Sequence, residues 1–335
     1  MKISVAMCTY NGSKHVIEQL ESIVHQTQKI HEIVICDDCS SDDTVTIVDA
    51  YLHNKNIDYK IISNEVNLGF IKNFHQVISR CAGDIIFFAD QDDTWYSEKI
   101  EKIMAVFEKD KQALLVFSDG NITDENLVYQ KKLLASLQYR SDFLKDKYIA
   151  FERLIADNYV TGAAAAIRRE LLTLAQPFSQ ITAHDYWFAV IASLYDGLRC
   201  VHEPLFNYRQ HASNTIGINK RLNVKKIRNL FNKEIDENNK ENLYAEIRLP
   251  IFDDIATKIK HDNLDEKFVK ALNKEIDFWK DREKFASNSM VQNMIVVIKD
   301  MLKGKQRKYR NVKKPVIKDA VKAIALANRD KKYGS

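Results

Sequence analysis

Residues 84–95 read Asp84-Ile85-Ile86-Phe87-Phe88-Ala89-Asp90-Gln91-Asp92-Asp93-Thr94-Trp95. An unbroken apolar run rich in β-branched and aromatic side chains suits a strand buried on both faces. Acids follow at once. Carboxylates crowded at a strand end repel one another, so they stay solvated or gather around a cation. Hard oxygen ligands suit Mg²⁺ or Mn²⁺, ions that usually share their shell with substrate phosphates. A polar turn closing the strand is equally compatible with these residues taken alone.

Similar apolar runs recur before and after it: Ile3–Met7, Glu32–Cys36, Tyr59–Ile62 and Ala113–Phe117. Between them lie amphipathic stretches at 14–26, 42–55, 70–81 and 96–109. In 14–26, Val16, Ile17, Leu20, Ile23 and Val24 fall at helical spacing. Ser40 to Thr44 place hydroxyls and acids in the first turn of the second helix, and Ser97 and Glu98 open the fourth. Strands alternating with helices predict a mostly parallel sheet with flanking helices, a Rossmann-like α/β fold. Polar clusters follow the strands: Thr9-Tyr10-Asn11-Gly12, Asp37-Asp38, Asn67-Leu68-Gly69 and Asp90–Asp93. In an open parallel sheet these ends share one edge, where ligands bind. Further on, Ala163–Ile167 and Leu198–Tyr208 read as strands, and Tyr148–Ala156, Glu170–Ala175 and His184–Leu194 as helices. Beyond 220 the pattern is helical, near 223–233, 241–261, 265–286, 288–303 and 315–328.

The chain has 335 residues, enough for about two domains. The predicted division is 1–215 and 216–335. With 9 Gly and 4 Pro it is neither collagen-like nor Pro/Gly-rich disordered. No apolar stretch reaches the roughly 20 residues of a membrane span. No apolar leader precedes the first strand, which predicts a cytoplasmic chain. Cys36 and Cys39 form a C-x-x-C pair without a second ligand pair, so zinc is not expected, and the two intervening acids oppose thiolate chemistry. Residues 291–335 hold 13 Lys/Arg against 3 Asp/Glu, and the net +4 of the whole chain leaves −6 on the rest. An acidic body with a basic tail follows. No G-x-G-x-x-G follows the first strand and no G-x-x-x-x-G-K-[ST] occurs, so phosphates must be held by a metal and side chains.

Four segments, in order, carry a resemblance to family 2 glycosyltransferases of the GT-A fold: Ser4–Gly12, Asp37–Thr44, Asn67–Asn73 and Phe88–Trp95. The last resembles that family's D-x-D motif, in the form found in bacterial rhamnosyltransferases. The resemblance implies that Thr9, Tyr10 and Asp38 contact the nucleoside. It implies that Asp90 meets the ribose or metal and Asp92 ligates the metal. It also puts Asn67, Gly69, Lys72, Asn73, Gln91 and Trp95 in the nucleotide-sugar site. Thr182–Phe188 resembles the segment carrying the catalytic base, which would be Asp185; a helix cap explains that Asp equally well. Asn207–His211 resembles a late motif near the diphosphate, with Arg209 on phosphate and His211 on metal or phosphate.

The implied activity is inverting, metal-dependent transfer, with Mn²⁺ or Mg²⁺, from a nucleotide-sugar donor such as dTDP-rhamnose or a UDP-sugar. The acceptor would be a glycan or lipid-linked oligosaccharide of bacterial surface polysaccharide. The absence of a Q-x-x-R-W motif favours adding one or a few sugars over polymer extrusion. Lys303 to Lys314 form a cationic run after an apolar face of Met290, Met294, Ile295, Val297, Ile298 and Met301. That segment suits either an anionic membrane surface, peripheral on the inner face, or plain solvent; few aromatics interleave it, so nucleic acid is not expected. The helical region also offers a face for a homodimer. The rival readings are a non-catalytic nucleotide-sugar or glycan-binding module on the same fold, and a metal-dependent phosphohydrolase.

Overall fold

The computed structural model describes residues 1–211 and 240–283, with Gln292 and Ile295. The chain divides into two units, Met1–Leu154 with Asn158–Asn219, and Ile155–Asp157 with Lys220–Ser335.

In the first unit the strands are β1 (Ile3–Thr9), β2 (Glu32–Asp37), β3 (Asp58–Ser63), β4 (Ile85–Asp90), β5 (Thr94–Trp95), β6 (Leu115–Thr123), β7 (Tyr129–Lys132), β8 (Ala165–Arg168) and β9 (Leu198–Arg209). They form one sheet ordered β3-β2-β1-β4-β8-β6-β9-β5, with β7 on β6. The helices are α1 (Val16–Val24), α2 (Thr44–His53), α3 (Phe70–Arg80), α4 (Lys99–Lys109), α5 (Leu133–Ser136), α6 (Lys147–Ala156), α7 (Glu170–Leu174) and α8 (His184–Leu194).

Half of the sheet is parallel. β1 pairs with β2 and with β4, and β2 with β3, all in parallel. β1, β2 and β4 are buried almost throughout, whereas β3 at the edge is largely exposed or intermediate. Helices on both faces leave central strands no polar side, hence their unbroken apolar runs. α1 buries Val16, Gln19, Leu20 and Ile23, the stripe its spacing predicts.

The other half is mixed, with β9 parallel to β6. β8 lies antiparallel between β4 and β6, β7 is antiparallel to β6, and the two-residue β5 runs antiparallel to β9. A strand–helix alternation does not reveal such insertions, because strand direction follows from connections rather than from local pattern. Ala163 and Ala164, expected to begin a strand, belong instead to a 3₁₀ turn, Gly162–Ala164, ahead of β8. The second helix begins at Thr44, with no acid in its first turn. Asp42 instead accepts the Thr44 N–H (3.0 Å) and the Ser13 N–H (3.1 Å), tying the loop after β1 to α2.

The second unit contains α9 (Lys240–His261) and α10 (Glu266–Glu283). α10 buries Phe268, Ala271, Leu272, Glu275, Phe278, Trp279 and Arg282, an i, i+3, i+4 stripe. The Arg282 guanidinium stacks 3.3 Å from the Phe278 ring centre. The helices expected near 223–233, 288–303 and 315–328, and the basic tail, lie outside the described residues. Among the described residues no helix is long and apolar enough to cross a membrane.

Candidate active site

The carboxyl ends of β1, β2 and β3 form a hydrogen-bonded platform. The Thr9 hydroxyl donates to Asp37 (2.7 Å), which also accepts the Ser40 hydroxyl (2.6 Å) and N–H (2.8 Å). Asp38 is 4% exposed. Its carboxylate accepts the N–H groups of Leu68 (2.7 Å) and Gly69 (2.9 Å) and the Asn64 amide (3.0 Å). A carboxylate accepts about four hydrogen bonds, so Asp38 keeps capacity for one further donor while holding the loop after β3. Asn67 donates to the Asp38 carbonyl (3.1 Å) and closes the same loop. Gly69 has φ 80°, a left-handed conformation that a side chain would strain.

The loops after β1 and β4 are joined by Gln91. Its amide accepts the Tyr10 N–H (2.8 Å) and donates to the Tyr10 carbonyl (3.0 Å). Gly12 makes room for it, since a Cβ there would stand 2.1 Å from the Gln91 amide oxygen. Tyr10 itself is 49% exposed, an open ring beside buried Thr9. Lys72 is exposed as well.

The acids of β4 meet the end of β9. Asp92 Oδ2 lies 2.7 Å from His211 Nε2, and the His15 ring is 5.3 Å from that of His211. Asp93 accepts the Arg209 N–H (3.0 Å), and its other oxygen is buried with no hydrogen-bond partner among the described residues. Burial first, then Asp92 and Asp185, push the Asp90 carboxyl above the usual range; burial, Asp92 and Asp90 do the same to Asp93. Crowded, partly desolvated carboxyls with one imidazole form a donor set that fits Mn²⁺ or Mg²⁺. Among the described residues no three such side chains are already gathered as ligands.

Asp185 stands at the start of α8. Its Oδ2 accepts the Gly162 N–H (3.0 Å) and its Oδ1 the Tyr186 N–H (2.6 Å). Burial raises its pKa to about 6, against the lowering effect of those backbone bonds. The acids share one neighbourhood. The Tyr208 hydroxyl is pushed up by burial and then by Asp93, Asp90, Asp92 and Asp185. The Cys8 thiol is pushed up by burial and then by Cys36, Asp90 and Asp38. Cys8 pairs across the sheet with Asp90 on one side and Cys36 on the other, so the two acidic strand ends are separated by about 10 Å, two strand spacings.

Three more of the expected site residues are buried and make contacts within the protein. Asn73 is 1% exposed; it donates to the Cys36 carbonyl (2.8 Å) and accepts from Asn64, pinning α3 to β2. Trp95 is 4% exposed and packs against Phe87 and Lys99. Arg209 donates to the carbonyls of Asp92 and Glu125 (both 2.8 Å) and to the Glu18 carboxylate. That guanidinium clamps the acidic turn, and a phosphate contact would require it to exchange a partner. Sequence reasoning noted Asp93 within the acidic cluster but gave it no role, and missed Gly162, Lys99 and Tyr208. Tyr208 was open to view inside Asn207–His211, but its burial among four carboxyls depends on tertiary structure. A cleft of about 320 Å³, lined in part by Gln26, Thr27, Lys29 and Lys55, opens at the amino-terminal edge of the sheet. No carboxylate lines it.

Asp38 and Asp90 thus lie at the carboxyl ends of β2 and β4, the parallel strands on either side of β1, and Asp185 at the start of α8. The model described as Glycosyl transferase family 2 matches residues 4–174, and the chain belongs to that family. It is 32% identical over 136 residues to the putative glycosyltransferase EpsE of Bacillus subtilis, covering 41% of this chain and about half, 49%, of that protein. It is 28% identical over 321 residues to the dTDP-rhamnosyl transferase RfbG of Shigella flexneri, covering 87% of this chain and 99% of that one. The fold is shared with residues 1–349 of Staphylococcus aureus TarS in complex with UDP-GlcNAc (TM-score 0.55, 17% identity, 100% of this chain and 93% of that one). It is shared also with the mannosyltransferase PcManGT of Pyrobaculum calidifontis in complex with GDP-Man and Mn²⁺ (TM-score 0.54, 14% identity, 100% and 88%).

Proposed function

We propose that the chain is an inverting, metal-dependent glycosyltransferase that moves a sugar from a nucleoside-diphosphate donor to a glycan or lipid-linked acceptor. The observation that carries this reading is the convergence of Asp90, Asp92 and Asp185 on one neighbourhood, with Asp185 raised to about 6. A base with that affinity for protons is ionised at neutral pH yet still takes a proton effectively. Asp185 removes the acceptor hydroxyl proton as that oxygen attacks the anomeric carbon, opposite the departing diphosphate. Asp38 offers its remaining acceptor capacity to a base N–H, and Tyr10 its open ring. Asp92 and His211 would hold the divalent ion, with Asp90 beside them. Charge developing on the leaving diphosphate is offset by that ion when it is bound.

RfbG, aligned over nearly its whole length, supports dTDP-rhamnose as donor; TarS supports a UDP-sugar. The test is a donor panel with Mn²⁺, preceded by thermal-shift measurements with UDP, dTDP and GDP. A nucleotide that binds only the folded form raises the melting point. Transfer from no nucleotide sugar would overturn the reading. Rapid donor breakdown with every acceptor tried would favour a phosphohydrolase.

A further inference from the structure

Lys99, the first residue of α4, is fully buried. Its ammonium lies 4.0 Å from the Trp95 ring centre and 4.6 Å from that of Phe206. It donates to the Ala163 carbonyl. A lysine is rarely sealed in a protein interior without a specific partner; here the ammonium donates to a backbone oxygen of the Gly162–Ala164 turn and is attracted by the Asp93 and Asp90 carboxylates. The other side of that turn faces α8. Gly162 N–H donates to Asp185, and a Cβ on Gly162 would stand 2.8 Å from His184 Nε2. His184 is itself immobilised, stacked 3.8 Å from Phe74 and edge-on to Phe88 at 4.9 Å. The turn is therefore clamped between a cation from the helix after the acidic motif and the helix that carries Asp185.

We propose that Lys99 is a positioning residue for Asp185: through the Ala163 carbonyl it fixes the turn whose Gly162 N–H orients the carboxylate. The inference rests on Asp185 being the base. It links the acidic strand end to the base through five residues, Lys99, Ala163, Gly162, Asp185 and the supporting His184. The groups facing Asp185 from other elements are Asp90 on β4 and Tyr208 on β9.

The chain's 9 glycines include a single Thr–Gly pair, Thr161-Gly162. Labelling threonine carbonyls with ¹³C and glycine amides with ¹⁵N therefore isolates the Gly162 N–H in an NMR spectrum. In the wild type that signal should shift as Asp185 ionises, expected near 6. In Lys99→Met the titration of the Gly162 signal should collapse and its hydrogen exchange quicken by roughly tenfold or more, as for a lost local hydrogen bond. Transfer kcat should fall by about tenfold, the scale of a misplaced catalytic group, while UDP and dTDP affinities with Mn²⁺ hold. An unchanged Gly162 titration in a folded Lys99→Met protein overturns the proposal. If that variant does not fold, Phe206→Leu opens one wall of the ammonium's slot, and an unmoved Gly162 signal there overturns it equally. Asp185→Asn separates the two readings. Should it retain transfer, the base assignment fails; should it abolish transfer while Lys99→Met leaves Gly162 unmoved, only the present inference fails.

Discussion

The two halves of the sheet handle polar groups in opposite ways. In the parallel half, Asp37 and Asp38 are buried yet satisfied by hydroxyls and backbone N–H groups from three strand-end loops. Where β4 borders the mixed half, Asp90 at its end, Asp93 after it and Asp185 are raised by burial, and Lys99 is lowered to about 7 for the same reason. The first arrangement holds shape for binding. The second keeps ionisable groups in a state that costs folding free energy and suits proton transfer.

The sharpest way to break this contrast is Asp185→Asn. It should lower transfer by about 10³-fold, within the range for loss of a general base, with nucleotide affinity nearly unchanged. A comparable loss of nucleotide binding would show that the halves are not separable. Asp92→Asn should weaken Mn²⁺ binding in the presence of nucleotide by about 10–100-fold, read by calorimetry, and should leave binding of the nucleotide alone intact.

The two carboxylates should affect stability differently. The folded state binds the Asp185 proton more tightly than the unfolded state does. Its ionisation therefore costs stability progressively between about pH 4 and the folded value of about 6. Activity should rise across that same window, because the base must be ionised. At pH 7 Asp185→Asn escapes that ionisation cost but turns an NH₂ toward either the Gly162 or the Tyr186 N–H, so the two effects offset and its stability should stay within about 1 kcal/mol of the wild type. Asp38→Asn should instead lose about 1–2 kcal/mol, since an amide NH₂ cannot accept the N–H that its carboxylate oxygen held. Denaturant titrations at pH 5 and pH 7 check both. The smallest effect is that of Gly12→Ala, about 1 kcal/mol, from displacing the Gln91 amide.

The parallel half was legible because its strands carry their own signal: apolar runs such as Ile85–Ala89, each followed by polar residues that must share one edge. The mixed half was not. β5 is two residues long and β8 four, too short for periodicity, and β8 pairs with strands distant in sequence. Within the site, residue type revealed the acids, while the hydrogen-bond partners of Arg209 and Asn73 depend on which loops fold over them. Lys99 gave no local signal at all, since nothing near it in sequence marks a lysine for the interior.

The clasp between Gln91 and the backbone of Tyr10 has a practical consequence. It makes the stretch that would read the nucleobase and the stretch that would grip the cation a single rigid body. Re-engineering donor choice by grafting a new segment after β1 would therefore disturb metal affinity too, unless residues 10, 12 and 91 are transplanted together.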